Sequence, residues 1–244
     1  MTMLSQLCDQ SLSNEHSLRS EPIGEIIRIT FCRGGQIRSR RVVTRSRACP
    51  TGKYPSWKMD RMVQWESRNE LHAFRLLDCD PEVTTFHEQP CEIVYRQNGV
   101  ERRHYPDVYV ETTGSKELWE IKPSSKASQD VIAARSALLR DGLKQYGFTY
   151  RVVLDCDLAK QPRLQNVDIL LRFGRRPLTE YERERVRQDL RRLGSLRWSD
   201  VCHGVYGPKG REVVCRLVLE GVLAFDVDCP LSPDTHFTYR QRGI

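Results

Sequence analysis

HYPDVYVETTGSKELWEIKP, residues 104–123, is the stretch on which the fold of this chain turns. Apolar and polar side chains alternate on either side of Thr113-Gly114, the pattern of two antiparallel strands joined by a turn. Side chains two apart on a strand share a face, so Glu120 and Lys122 point together and Trp119 points the other way, into a helix layer. Asp107 opens the first of the two strands after Pro106 and lies beside Glu120 across the hairpin. Two carboxylates and a backbone carbonyl are hard oxygen donors suited to Mg2+, with Mn2+ able to substitute. Lys122 is placed to orient a water or to meet developing charge. Glu70, on the first turn of an upstream helix, completes the set or positions a second ion, and Glu66 is the rival acid for that place. The competing reading of Glu120-Ile121-Lys122 alone is a surface strand with a charge pair.

The neighbouring segments assemble around this hairpin. Ser67 and Glu70 have the spacing of a capping box, and Leu71, Phe74, Leu76 and Leu77 share one face of a helix ending at Asp80-Pro81. Residues 83–96 read as a strand with Pro90 at a bend or edge, Asn98-Gly99 as a hairpin turn, and HYPDVYVET as the returning strand. Ser124 to Gln129 supplies N-cap candidates for a helix through Tyr146, with Val131, Ile132, Leu138, Leu139 and Leu143 inward. YRVVL (150–154) reads as a buried strand and Val167–Leu171 as one more. Helix, three antiparallel strands, helix and strand make an α/β layered core. After Gly174 come a helix from Leu178 or Thr179 to Leu193, a second over Leu196–His203, a third over Arg211–Leu219, and a hairpin around Pro230–Pro233. That order is that of a small winged helix-turn-helix domain. The expected division is a basic extension at 1–44, a core domain at 45–173 and a C-terminal domain at 174–244.

Charge is unevenly placed in the 244 residues: +6 over residues 1–62, −2 over 63–172 and +3 over 173–244. The basic excess is densest between Cys32 and Arg61, where Arg38, Arg40, Arg41, Arg45, Arg47, Lys53 and Lys58 lie among glycines and prolines. An extended arm of this kind tracks phosphates by releasing counterions, and a solubilising tail is the alternative. Lys209, Arg211 and Arg216 sit on or before the third helix of the tail, where they face phosphates if that helix enters a groove; docking on a protein is the other reading. The acidic centre repels nucleic acid unless a cation mediates. Nine cysteines are scattered without CxxC spacing, which excludes a local zinc or redox motif and fits a reduced, cytosolic protein. No apolar run approaches the roughly 18–20 residues of a membrane span, and the N-terminus lacks the basic start and apolar run of a secretory signal. The six histidines have no ligand spacing; His104, near Asp107 in sequence, reads as a solvated strand residue, with a contact to the site as the alternative.

Pro106-Asp107 with Glu120-Ile121-Lys122 resembles the PD-(D/E)xK nuclease signature, which implies a restriction-endonuclease-like core of a mixed sheet flanked by helices. GKYPSWKM (52–59), Glu66 to Glu70, DPEV (80–83), Glu88-Gln89-Pro90, YPD (105–107) and EIK (120–122) resemble, as a series, the TnsA family of transposon-end endonucleases. The resemblance covers residues 50–155 by motifs, and the tail matches the family's two-domain plan. It implies a Mg2+-dependent enzyme that cuts the 5′ strands of double-stranded DNA at the ends of a mobile element. A DDE-type transposase would cut the other strands, and an AAA+ ATPase regulator would link the pair to the target, in the bacterial cytoplasm at the nucleoid. On that resemblance Asp107 and Lys122 carry over directly, Glu70 is the helical acid, and Glu120 takes a place that some members fill with Gln. Gln89 carries over as a family mark, with strand packing as its expected duty. Two rival readings stand beside this one: a stand-alone restriction or repair nuclease, and a catalytically silent winged-helix DNA-binding or bridging protein.

Overall fold

The structure, a computed structural model, describes residues 24–32, 50–127 and 130–241; Arg38, Arg40, Arg41, Arg45 and Arg47 lie outside these residues. Two units divide the described residues: those up to Phe74 with Val83–Ala159, and Arg75–Glu82 with those from Lys160 onward. Both mix helix and strand, as the α/β reading expects.

The first unit carries β1 (Gly24–Phe31), β2 (Gly52–Ser56), β3 (Arg61–Trp65), most of α1 (Arg68–Cys79), β4 (Val83–Glu88), β5 (Cys91–Gln97), β6 (Val100–His104), β7 (Val108–Thr112), β8 (Lys116–Lys122), α2 (Ser124–Ala127), α3 (Asp130–Gly142), a 3-10 turn (Leu143–Tyr146), β9 (Thr149–Leu154) and α4 (Asp155–Leu158). Its main sheet runs β4-β7-β8-β9, antiparallel except for the β8–β9 pair, and a second sheet runs β1-β5-β6. Parallel neighbours need a long crossover, and α3 supplies it. Leu138, Leu139 and Leu143 of that crossover are buried against Leu118 of β8, Tyr150 of β9, and Ile26, Ile93 and Tyr95 of the second sheet. Phe74 of α1 stacks on Phe86 of β4, with ring centroids 5.8 Å apart.

The segment 83–112, read as two strands, makes four, and the first break has a local cause. Gln89 has φ of 42°, a left-handed conformation uncommon for a non-glycine residue, and Pro90 follows it. The chain bends there and passes from β4 in one sheet to β5 in the other. The Asn98-Gly99 turn has φ of 52° and 76°, as a two-residue hairpin requires, and returns β6 beside β5. The expected single strand over HYPDVYVET is therefore two, β6 ending at His104 and β7 beginning at Val108 in the other sheet, with Pro106 and Asp107 at the crossing. The segment read as an N-terminal extension contributes β1, which pairs along the length of β5 from Gly24↔Gln97 to Phe31↔Cys91.

The second unit holds the end of α1, then α5 (Arg163–Phe173), α6 (Glu180–Leu193), β10 (Leu196–Arg197), α7 (Trp198–Cys202), α8 (Gly210–Leu219), β11 (Leu223–Ala224) and β12 (His236–Tyr239). The strand expected at Val167–Leu171 is helix: Leu164, Val167, Leu170 and Leu171 are buried at three- and four-residue spacing, which a short apolar run does not separate from a strand. Gly174, at the end of α5, would place a Cβ 2.8 Å from the Cys215 backbone and from the Leu170 carbonyl, so α5 and α8 meet there at backbone contact. α5 accordingly belongs to the second unit, which takes in the described residues from Lys160 onward. Thr179 caps α6 through a capping box with Glu182, and Gly194 ends the helix with φ of 75°. Leu196-Arg197, expected to begin a helix, instead pairs with β12 ahead of α7. The small sheet runs β10-β12-β11. Asn166 of α5 fixes the loop between β11 and β12: its amide donates to the Val227 and Cys229 carbonyls, both at 2.8 Å, and accepts from the Leu231 N–H. Among the described residues no helix is long and apolar enough to cross a membrane.

Candidate active site

The site is built at the crossing between the two sheets of the first unit. Val108, the first residue of β7, pairs with Trp119, and Asp107 just before it lies beside the end of β8, near enough to Glu120 for the two charges to interact. Three backbone ties fix the position of Asp107. Its N–H donates to the Trp119 carbonyl (2.8 Å), its carbonyl accepts from the Gln89 N–H (2.9 Å), and its carboxylate Oδ2 accepts from the Ile121 N–H (2.7 Å). Gln89, itself buried, thus serves the site through its backbone. Burial raises the Asp107 pKa well above the carboxylate range, and the charge of Glu120 adds to the effect; Glu70 raises it further, while the Ile121 N–H and Lys122 oppose the shift.

Glu120 is 3% exposed. Its Oε1 receives Lys122 Nζ at 2.6 Å and Arg135 Nη2 at 3.1 Å. Its Oε2 is buried and has no hydrogen-bond partner among the described residues. His104 Nε2 stands 3.2 Å from Oε2 without hydrogen-bond geometry and 3.0 Å from the Tyr150 hydroxyl. Burial, with Arg135 and Lys122 nearby, pushes the His104 pKa down to about 3, so the ring is neutral at pH 7. His104 is therefore a buried member of the site; the solvated reading fails because β6 turns this residue into the core. Trp119 faces away from Glu120, as alternation requires, and its indole N–H donates to Glu117 at 2.7 Å.

Glu70 stands at the start of α1 in a capping arrangement. The Ser67 hydroxyl accepts from the Glu70 N–H (3.2 Å) and donates to Glu70 Oε1 (3.0 Å), while Glu70 Oε2 accepts from the Glu66 N–H (2.8 Å). The charge of Glu70 adds to the raised pKa of Asp107, whereas Glu66 meets Glu70 through its backbone N–H. Four of the residues singled out from sequence, Glu70, Asp107, Glu120 and Lys122, thus come together. Arg135 and Tyr150 were not singled out: a helical arginine and a strand tyrosine carry no local pattern marking such a contact.

The candidate DNA-binding cations divide. Lys53 is exposed on the β2–β3 hairpin and Lys58 half-buried at its turn. Lys209 and Arg211 are exposed at the start of α8, with the Arg211 guanidinium 5.9 Å from the Phe173 ring centroid. Arg216 is turned inward, donating to Glu220 at 2.6 Å and to the Arg175 carbonyl at 3.4 Å. It ties α8 to its surroundings, contrary to a free phosphate-facing role.

Among the described residues no group of three or more His, Cys, Asp and Glu side chains is arranged to hold a metal ion. A donor set of two carboxylates and a backbone carbonyl falls outside such a group, and the residues present fit a hard cation on two grounds. Asp107 and Glu120 repel one another, and Glu120 presents a buried oxygen with no hydrogen bond. No curated protein matches the chain. Residues 80–155, which contain Gln89, Asp107, Glu120, Lys122 and Arg135, match the family model of the TnsA-like endonuclease N-terminal domain, a similarity that points to nuclease chemistry related to transposition.

Proposed function

We propose that this chain is a Mg2+-dependent DNA endonuclease that cuts the 5′ strand at transposon ends as a subunit of a heteromeric transposase. The observation that carries the reading is the Asp107 carboxylate tied to the Ile121 N–H and close to Glu120, with Lys122 on one Glu120 oxygen and the other oxygen without a hydrogen bond among the described residues. Asp107, Glu120 and the Ile121 carbonyl are the groups that would hold the ion. A bound divalent cation supplies charge neutralisation at the phosphate and a lowered pKa for a water. The Ile121 N–H keeps Asp107 Oδ2 occupied and so aims the other carboxylate oxygen. Lys122, 27% exposed, has room to leave Glu120 and orient the attacking water or meet charge on the phosphate. In-line attack by that water forms the new P–O bond as the P–O3′ bond breaks, leaving a 5′-phosphate and a 3′-hydroxyl.

The helix and strand order of the second unit, α6-β10-α7-α8-β11-β12, supports a winged-helix reading, with Lys209 and Arg211 exposed at the start of α8. The partners in this reading are a DDE-type transposase and an AAA+ regulator, and its setting is the cytoplasm at the nucleoid; the similarity at residues 80–155 supports only the transposition-related context. The test is incubation of the purified chain with a duplex carrying a transposon end and Mg2+ or Mn2+, with and without a co-expressed transposase. A 5′-strand cut that needs the transposase is expected, lost in Asp107→Ala with DNA binding kept within a few-fold. Cutting without any partner would make the chain a stand-alone nuclease. Firm DNA binding with no cutting under either condition would make it a silent bridging protein.

A further inference from the structure

We infer that Arg135 is a positioning residue of this site, fixing Glu120 so that one of its carboxylate oxygens stays open to a divalent ion; the inference rests on the nuclease reading above. The contacts of Glu120 are divided between its oxygens. Oε1 carries both cations, Lys122 Nζ at 2.6 Å and Arg135 Nη2 at 3.1 Å, while Oε2 carries no hydrogen bond although it is buried. His104, whose Nε2 stands 3.2 Å from Oε2, has the same ring nitrogen within hydrogen-bond distance of the Tyr150 hydroxyl. A buried carboxylate oxygen left bare is costly unless a ligand takes it up.

Lys122 cannot do the positioning alone. If it serves the water or the phosphate, its ammonium must leave Glu120 during the reaction, and Arg135 is then the cation that stays on Oε1. The anchor suits the task. Arg135 lies three and four residues before Leu138 and Leu139, which are 3% and 0% exposed in the core that clamps α3 to the sheets. Its guanidinium is planar, permanently charged and rigid at the contact. Groups of this kind behind a metal ligand set ligand orientation and typically matter about 10–100-fold in metal affinity.

A guanidinium near a cation site also repels the cation, so the two possible roles have opposite signs. If Arg135 were only a counter-charge, removing it would tighten metal binding; if it positions Glu120, removing it weakens binding. The experiment is calorimetric titration of the full chain with Mn2+ alone, for the unmutated protein, Arg135→Gln, Arg135→Lys, and each in a Glu120→Gln background that keeps one oxygen at 120. Arg135→Gln is expected to weaken binding about tenfold and Arg135→Lys about two- to threefold, both effects vanishing in the Glu120→Gln background. If one variant does not fold by thermal unfolding, the other reads the same comparison. Unchanged or tighter binding in the Arg135 variants, or equal losses with and without Glu120, overturns the inference while leaving the nuclease reading intact. An unmutated protein that binds no Mn2+ overturns both.

Discussion

Asp107→Asn is expected to stabilise the ion-free protein while abolishing cleavage. Asparagine keeps the size of the side chain and an oxygen acceptor for the Ile121 N–H, now held at 2.7 Å, and it leaves the backbone bonds to Trp119 and Gln89 in place. It loses the charge-assisted part of the Ile121 bond, about 1 kcal/mol. Against that, it removes a carboxylate that burial, Glu120 and Glu70 all disfavour in its charged form. The net gain at pH 7 is about 0.5–2 kcal/mol, the range usual when a strained functional group is relieved, and appears as a rise of a few degrees in Tm. The pH dependence identifies the cause. The folded protein binds the Asp107 proton more tightly than the unfolded chain, so the carboxyl costs nothing below the ordinary carboxylate pKa and its full amount above the raised folded value. The advantage of Asp107→Asn must therefore be greatest near neutral pH and shrink as pH falls. Divalent ion reverses the order: at a hundred times Kd, binding stabilises the unmutated protein by about 2.7 kcal/mol and the variant by much less. Urea unfolding from pH 4 to 8, with chelator and with Mg2+, measures all three effects. A gap between the two proteins that is absent at pH 7, or constant with pH, would refute the account of a repelling carboxylate pair.

Other substitutions separate the chemistry from the scaffold. Lys122→Ala is expected to slow single-turnover cleavage about 10²–10³-fold, the cost of losing one preorganised charge, while Mn2+ binding by calorimetry persists because Arg135 still holds Glu120. Ser67→Ala removes the acceptor for the Glu70 N–H and the donor to its carboxylate, and should cost about 0.5–2 kcal/mol in urea unfolding, with faster amide exchange in the first turn of α1. Asn166→Ala strips hydrogen bonds from two carbonyls and an N–H in the loop between β11 and β12, and about 2–4 kcal/mol of destabilisation follows, with hydrogen exchange rising over residues 226–232.

The parts of the fold that sequence reveals are those whose cause lies within a few residues. Alternation across Thr113-Gly114 was enough to set Glu120 beside Asp107 and to aim Lys122 with it, because strand period and hairpin register are local properties. Ser67 with Glu70, and Thr179 with Glu182, mark helix starts for the same reason. The partition into two sheets was not legible. A continuous apolar-polar rhythm runs through residues 83–96 and 104–112, and the left-handed Gln89 and the crossing at Pro106-Asp107 that break it are set by which sheet receives each strand. The only local hint at Gln89 is the proline behind it, and a residue before proline is ordinarily extended. Val167–Leu171 failed as a strand because four apolar residues in five positions satisfy both periods, and burial on α8 settles the matter in favour of helix.

The same distinction explains which site residues were found. Asp107, Glu120 and Lys122 lie within sixteen residues of one hairpin, and the spacing that makes them legible is also the geometry that makes them neighbours. The shell behind them comes from three distant elements: His104 at the end of β6, Arg135 on α3 and Tyr150 on β9. None of these has a short-range reason for its identity. An arginine in α3 looks like any solvated helix residue until the β8–α3–β9 crossover carries it over Glu120, and a histidine at the end of an edge strand looks exposed until the neighbouring sheet closes on it. On the proposed reading the place of Arg135 follows from Glu120, one of whose oxygens is held by cations while the other is left for the ion. A substitution at Arg135 or His104 should therefore register first in ion affinity and only through it in strand cleavage, whereas one at Lys122 should do the reverse.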